Sequence, residues 1–202
     1  MELETMFTEQ KWNILKCLSN EKFSPLQLAE KLDTTMANIS QQLRLLEASN
    51  LVKKEKIKNR DKGKPRSLFS LTEDYAYLIP TMQNFANKRL LKATPHHKAI
   101  LKIWFIENEE LQYNMEKLYW SLEPNLKSIK GIAVNEKSNK ILLISEYAKD
   151  IERVVSMNKS IDAKIFSKKE AERLISQGKK PFSSINELTI IYDPDGMMEY
   201  KE

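Results

Sequence analysis

Apolar residues in the first fifty positions recur at three- and four-residue steps, the period of amphipathic helices. Thr8 can cap a helix over residues 9–18 with Trp12, Leu15 and Leu18 on one face. Ser24-Pro25 gives a second start, Ser as N-cap and Pro at the first helical position, for a helix over 25–32. Thr35 caps a third helix over 36–48, whose stripe of Ile39, Leu43 and Leu46 leaves Asn38, Gln41, Gln42 and Arg44 away from the core. Asn50 tolerates the left-handed conformation that ends a helix. Two strands then follow, 51–57 and 66–72, around a turn-rich segment containing Gly63 and Pro65. The pattern predicts two helices joined by a tight turn, a third with a polar outer face, and a β-hairpin.

Further on, apolar positions from Tyr75 to Leu91 can be read at helical steps, so a helix over 73–92 is expected, kinked at Pro80. Thr94-Pro95 opens another helix through Phe105, with Ile100, Ile103 and Trp104 on one side. Asn108 caps a helix carrying Leu111, Met115, Leu118 and Leu122. After Pro124 the period changes. Strands are predicted at 129–134, 140–144, 161–166 and 188–192, with helices at 146–157 and 168–176, the latter opened by Ser167 and Glu170 in capping-box spacing. The predicted class is α+β: an N-terminal winged helix-turn-helix (1–72), a helical middle segment for dimerisation (73–126) and a small C-terminal α/β sheet domain (127–202).

Charge sharpens this picture. The 202 residues carry a formal charge of +5, and the stretch from Asn50 to Ser70 holds eight cations against only Glu55 and Asp61. The basic excess is therefore confined to the predicted hairpin, as an electrostatic footprint for a polyanion would be. A solvated basic hairpin without a partner is the plainer alternative. Cys17 is the only cysteine, which excludes an internal disulfide framework and a multi-cysteine zinc site. His96 and His97 are adjacent, so on a helix their side chains diverge and do not chelate one metal. No metal or cofactor is expected. The polar N-terminal stretch does not read as a secretory signal, and no apolar run reaches the ~18–20 residues that cross a bilayer. A cytoplasmic protein is expected.

The segments SPLQLAEKL, TMANISQQLRLLEASNLVKKEKI and GKPRSLFSLT resemble the ArsR/MarR-like winged-helix transcription regulators of prokaryotes, archaea in particular. The resemblance covers about the first third of the chain. It implies a partner, double-stranded DNA, and a third helix lying in the major groove from its cap at Thr35. Base-edge contacts would come from Met36, Ala37, Asn38, Gln41 and Gln42, since amides bond adenine bidentately. Arg44, Lys58, Arg60, Lys62, Lys64 and Arg66 would hold phosphates. Two half-sites imply a homodimer, with the helices after the wing as its seam. A small-molecule effector fits the same picture. Against this stand solvated glutamines on a helix surface, and winged helices that bind only proteins.

The C-terminal stretch IKGIAV, then DAKIFSKKEAERLISQGKKPFSSI followed by LTIIYD, resembles minimal nucleotidyltransferase domains. That resemblance implies a Gly-Ser phosphate loop after the first strand and an Asp-x-Asp pair on the second, binding magnesium. The connection here is Asn135-Glu136-Lys137-Ser138-Asn139-Lys140, and the strand Ile141-Leu142-Leu143-Ile144 carries no acid. No catalytic residue carries over, and a shell that has lost its metal site is expected. Asp193, Asp195 and Glu199 are the alternative acids, although Asp193-Pro194-Asp195-Gly196 has the composition of a β-turn. A targeted nucleotidyltransferase is the competing function.

Overall fold

A computed structural model describes residues 8–57, 66–157 and 162–198. The chain divides into two compact units, Met1–Lys92 and Ala93–Glu202. The stretch expected as one helical middle segment is thus shared between them.

In the first unit, helices α1 (Glu9–Leu18), α2 (Pro25–Lys31) and α3 (Met36–Ala48) precede a hairpin of β1 (Val52–Ile57) and β2 (Arg66–Leu71). Local chemistry sets the joints. Ser24 and Gln27 form a reciprocal capping box at the start of α2, with Pro25 at its first position. Asp33, at φ 48°, turns the chain left-handed between α2 and α3, and Asn50, at φ 59°, ends α3. Asn and Asp accept this conformation better than other non-glycine residues. The core joins Ile14, Leu28, Ile39, Leu43, Leu46, Val52 and Phe69. Phe23 bridges Phe69 with two backbone hydrogen bonds of 3.1 and 2.8 Å, which ties the α1–α2 connection to β2. The buried stripe of α1 is Ile14, Cys17 and Leu18; Trp12, expected on that face, is half exposed.

Residues 75–92 correct the expected helix. They form a ribbon: β3 (Tyr75–Leu78) pairs with β6 (Arg89–Lys92), and β4 (Thr81–Met82) with β5 (Phe85–Ala86). Asn87 N–H donates to Pro80 O across the interruption between the two pairs. Helical steps can be picked out of the same apolar set. Three facts favour strand: Pro80 removes a helical donor, Tyr75 and Tyr77 alternate with Ala76 and Leu78, and Asn84 sits at φ 64° in a two-residue turn.

The second unit begins with α4 (Pro95–Trp104) and α5 (Glu109–Leu122) and continues β7 (Ile129–Asn135), β8 (Lys140–Ser145), α6 (Ala148–Ser156), β9 (Ala163–Ser167), α7 (Lys168–Ser176) and β10 (Thr189–Tyr192). The strand order is β10-β7-β8-β9; β7 pairs antiparallel with both neighbours, and β8 runs parallel to β9 through the α6 crossover. The two-residue side-chain period divides the sheet. Ile132, Val134, Ile141 and Leu143 pack with Ala99, Met115, Leu118 and Ile151 from α4, α5 and α6. Ala133, Leu142 and Ile144 face Phe166, Ala171, Phe182 and Met198 on the other side. Trp104, expected inside, is about half exposed. Lys102 Nζ donates to Ile190 O at 2.7 Å, and the β10 register shifts between Ile190 and Tyr192.

Candidate nucleic-acid interface

Helix α3 is held by Ile39, Leu43 and Leu46, each at most 2% exposed, so its remaining positions are fixed relative to the core. Ala37, Gln41 and Arg44 are exposed at i, i+4 and i+7, one face of a helix, with Met36 exposed beside them at its start. Thr35 is the N-cap, its Oγ1 accepting from Asn38 N–H at 3.2 Å, which sets where the helix begins. This face offers an apolar side chain, a carboxamide and a guanidinium: groups that touch a thymine methyl, an adenine edge and a guanine or phosphate.

Asn38 and Gln42 are arranged differently. Both are half-buried. Asn38 Nδ2 donates to Thr34 Oγ1 at 3.1 Å, and Gln42 Nε2 donates to Asn38 Oδ1 at 3.3 Å. The two amides also line a cleft with Gln10 and Asn13 of α1. Their hydrogen bonds run along the helix, so the six residues predicted from Met36 to Arg44 separate into an outward set and an inward-bonded pair.

The hairpin brings cations of its own. Lys53, Lys54 and Lys56 are exposed on β1, and Lys54 Nζ sits 5.9 Å from the centroid of Phe69. The sequence marks these lysines by charge alone, and their place on a solvated strand is what identifies them as interface cations. Glu55 is engaged by Lys22, Nζ to Oε2 at 2.7 Å, and that hydrogen bond holds its carboxyl below the usual carboxylate range. The pairing neutralises the single acid among the described residues of β1 and β2. Arg66 opens β2 opposite Ile57 in the backbone register. Lys58, Arg60, Lys62 and Lys64 lie outside the described residues.

Residues 13–55 match the family model of a helix-turn-helix domain. The first unit carries a helix-turn-helix. Among curated proteins, none matches the chain. The helix-turn-helix match runs from within α1 into β1, and so includes the whole exposed face of α3.

In the second unit Asp193 and Asp195 have local partners, and Glu199 lies outside the described residues. Asp193 accepts from Met197 N–H at 2.9 Å and Met198 N–H at 2.7 Å, and Gly196 adopts φ 64°, as the turn composition predicts. Asp195 pairs with Lys130 at 3.4 Å, and Lys130 also meets Glu146 at 3.3 Å. Those carboxylates, the Glu146 hydrogen bond first, raise the Lys130 pKa. His97 caps α4 with Thr94, while His96 Nδ1 lies 3.1 Å from Tyr119 Oη. Burial pushes the Tyr119 phenol up to about 12. Among the described residues no group of three or more His, Cys, Asp or Glu side chains is placed to hold a metal, and no helix is long and apolar enough to cross a membrane.

Proposed function

We propose that this protein is a sequence-specific, double-stranded-DNA-binding transcription regulator of the ArsR/MarR-like winged-helix type. The observation that carries the reading is the exposed face of Met36, Ala37, Gln41 and Arg44 on a helix anchored in the core by Ile39, Leu43 and Leu46. In this reading that face enters the major groove, and the β1–β2 hairpin acts as a wing on the flanking backbone. The cations concentrated between Asn50 and Ser70 support the wing role, because backbone contact needs positive charge and no base chemistry. Asn38 and Gln42 serve less as base readers than as a brace for the helix that presents Gln41.

The protein works as a homodimer, since paired half-sites match two-fold protein symmetry. Trp104, Phe105, Tyr113 and Trp120 stand exposed on α4, α5 and the loop between them, and aromatic side chains of this kind are enriched in protein interfaces. The sheet of the second unit is a nucleotidyltransferase-like shell used for assembly or for sensing a small molecule. Its β8, Lys140–Ser145, has no carboxylate to hold magnesium, so no catalytic role is assigned to it.

The deciding experiment is genomic footprinting with retardation assays on the recovered sites. A defined pseudo-palindromic site, bound with an affinity that falls steeply with salt, is expected. No retardation at modest ionic strength, or magnesium-dependent nucleotide transfer to RNA or protein, overturns the proposal. Sedimentation checks the dimer.

A further inference from the structure

The ribbon over residues 75–92 is the part of the first unit that the helix-turn-helix leaves unexplained. It stands on the core through Tyr75, which packs against the cluster of α1–α3, and through the Lys92–Glu73 ion pair of 2.8 Å at its base. Beyond that base it projects. Beyond the Asn87–Pro80 hydrogen bond it continues as the two-residue strands β4 and β5 and the turn at Gln83-Asn84. Every residue from Thr81 to Arg89 is exposed, including Met82 at 62% and Phe85 at 50%, which oppose one another across the two-residue turn.

Composition identifies what such a ribbon meets. The base holds Glu73 and Asp74, with Glu73 paired to Lys92, whereas residues 79–89 hold Lys88 and Arg89, no acid, and the amides Gln83, Asn84 and Asn87. A two-stranded apolar ribbon in water is marginal by itself, so an exposed apolar tip calls for a covering partner. Two exposed distal cations, amides, and an apolar pair at the tip suit a nucleic-acid groove. Proteins that bind the minor groove combine such polar groups with apolar wedges that part a base step.

We infer that the 75–92 ribbon is a second DNA-contacting arm, with Lys88 and Arg89 on phosphates of the adjoining duplex and Met82 and Phe85 wedged at a base step, kinking it. This rests on the DNA-binding reading of α3. It adds a contact outside the helix-turn-helix and its basic hairpin, and so a longer footprint and a bend.

The test compares the full-length protein with Met82→Ala/Phe85→Ala, with Lys88→Gln/Arg89→Gln, and with Gln41→Ala/Arg44→Ala. Each binds a short duplex limited to the recovered site and a longer one with flanks, across a salt series, with end-to-end fluorescence transfer reporting bend. The ribbon substitutions lie on exposed positions, and circular dichroism confirms their fold. Removing both cations should lower the salt slope by about two and weaken the long duplex roughly tenfold, with little change on the short one. Removing the wedge should abolish the bend. If the α3 variant loses binding while both ribbon variants keep affinity, slope and bend, the arm is refuted and the α3 reading stands. If the wild type binds no duplex, both fall. A ribbon variant that instead dissociates a dimer assigns the tip to a second copy of the chain and overturns the arm.

Discussion

Leu43 and Gln41 are two residues apart on α3 and have opposite surroundings, so their substitutions should separate stability from recognition. Leu43 is 0% exposed within the cluster of α1, α2 and β2, whereas Gln41 is exposed. Leu43→Ala removes three buried carbons and leaves a cavity, at a cost of about 2–5 kcal/mol. Set against a whole-domain stability of about 5–15 kcal/mol, that is a large share. Gln41→Ala removes no packing and should move stability by at most about 0.5 kcal/mol. If the Gln41 amide makes a bidentate base contact, its loss costs about 1–3 kcal/mol of discrimination, or roughly 5- to 150-fold against the preferred site. Urea unfolding followed by hydrogen exchange in peptides from residues 9–57 isolates the first unit. Competition between specific and non-specific duplexes measures recognition. Unchanged exchange protection in Leu43→Ala, or a Gln41→Ala variant that loosens α3 as much as it weakens binding, would refute this division of roles.

Three further outcomes are expected. Glu55 has a depressed pKa through Lys22, so the pair contributes stability above the ordinary glutamate pKa that is lost as pH falls through the folded value; Glu55→Gln should flatten that acid limb in carboxyl-resolved NMR titration. Tyr119 is raised to about 12, so its neutral form contributes stability that is whole below the ordinary tyrosine pKa and is lost as pH climbs toward the folded value; Tyr119→Phe should remove this part of the alkaline transition, read by ultraviolet titration and circular dichroism. Leu143→Ala, at a site 0% exposed, should destabilise the second unit by about 2–5 kcal/mol, with hydrogen exchange in β7 and β8 rising and that in α3 unchanged.

Local chemistry made the first unit readable. Ser24-Pro25, Thr35 and Asn50 each do one thing at a helix end, and the stripe Ile39, Leu43, Leu46 has one interpretation; all are where the sequence places them. The strands β7–β10 and the helices α6 and α7 of the second unit are legible for a similar reason, since short apolar runs between turns leave few alternatives. The stretch from Tyr75 to Lys92 is not. An apolar residue at every second or third position satisfies either period, and the deciding turn at Gln83-Asn84 is only two residues long. At the candidate interface, residue type marked Gln41 and Gln42 alike; only the rotation of α3 against α1 tells the exposed amide from the one bonded to Asn38.

The outer strand β10 is defended against unwanted extension. A lysine from α4 occupies one of its carbonyls, and its irregular register bends the line along which another chain would add. At the opposite border, β9 places Lys164 in solvent, a charge that would have to be desolvated in any strand-to-strand growth. Crowded or partly unfolded copies should therefore resist stacking into fibrils through this layer.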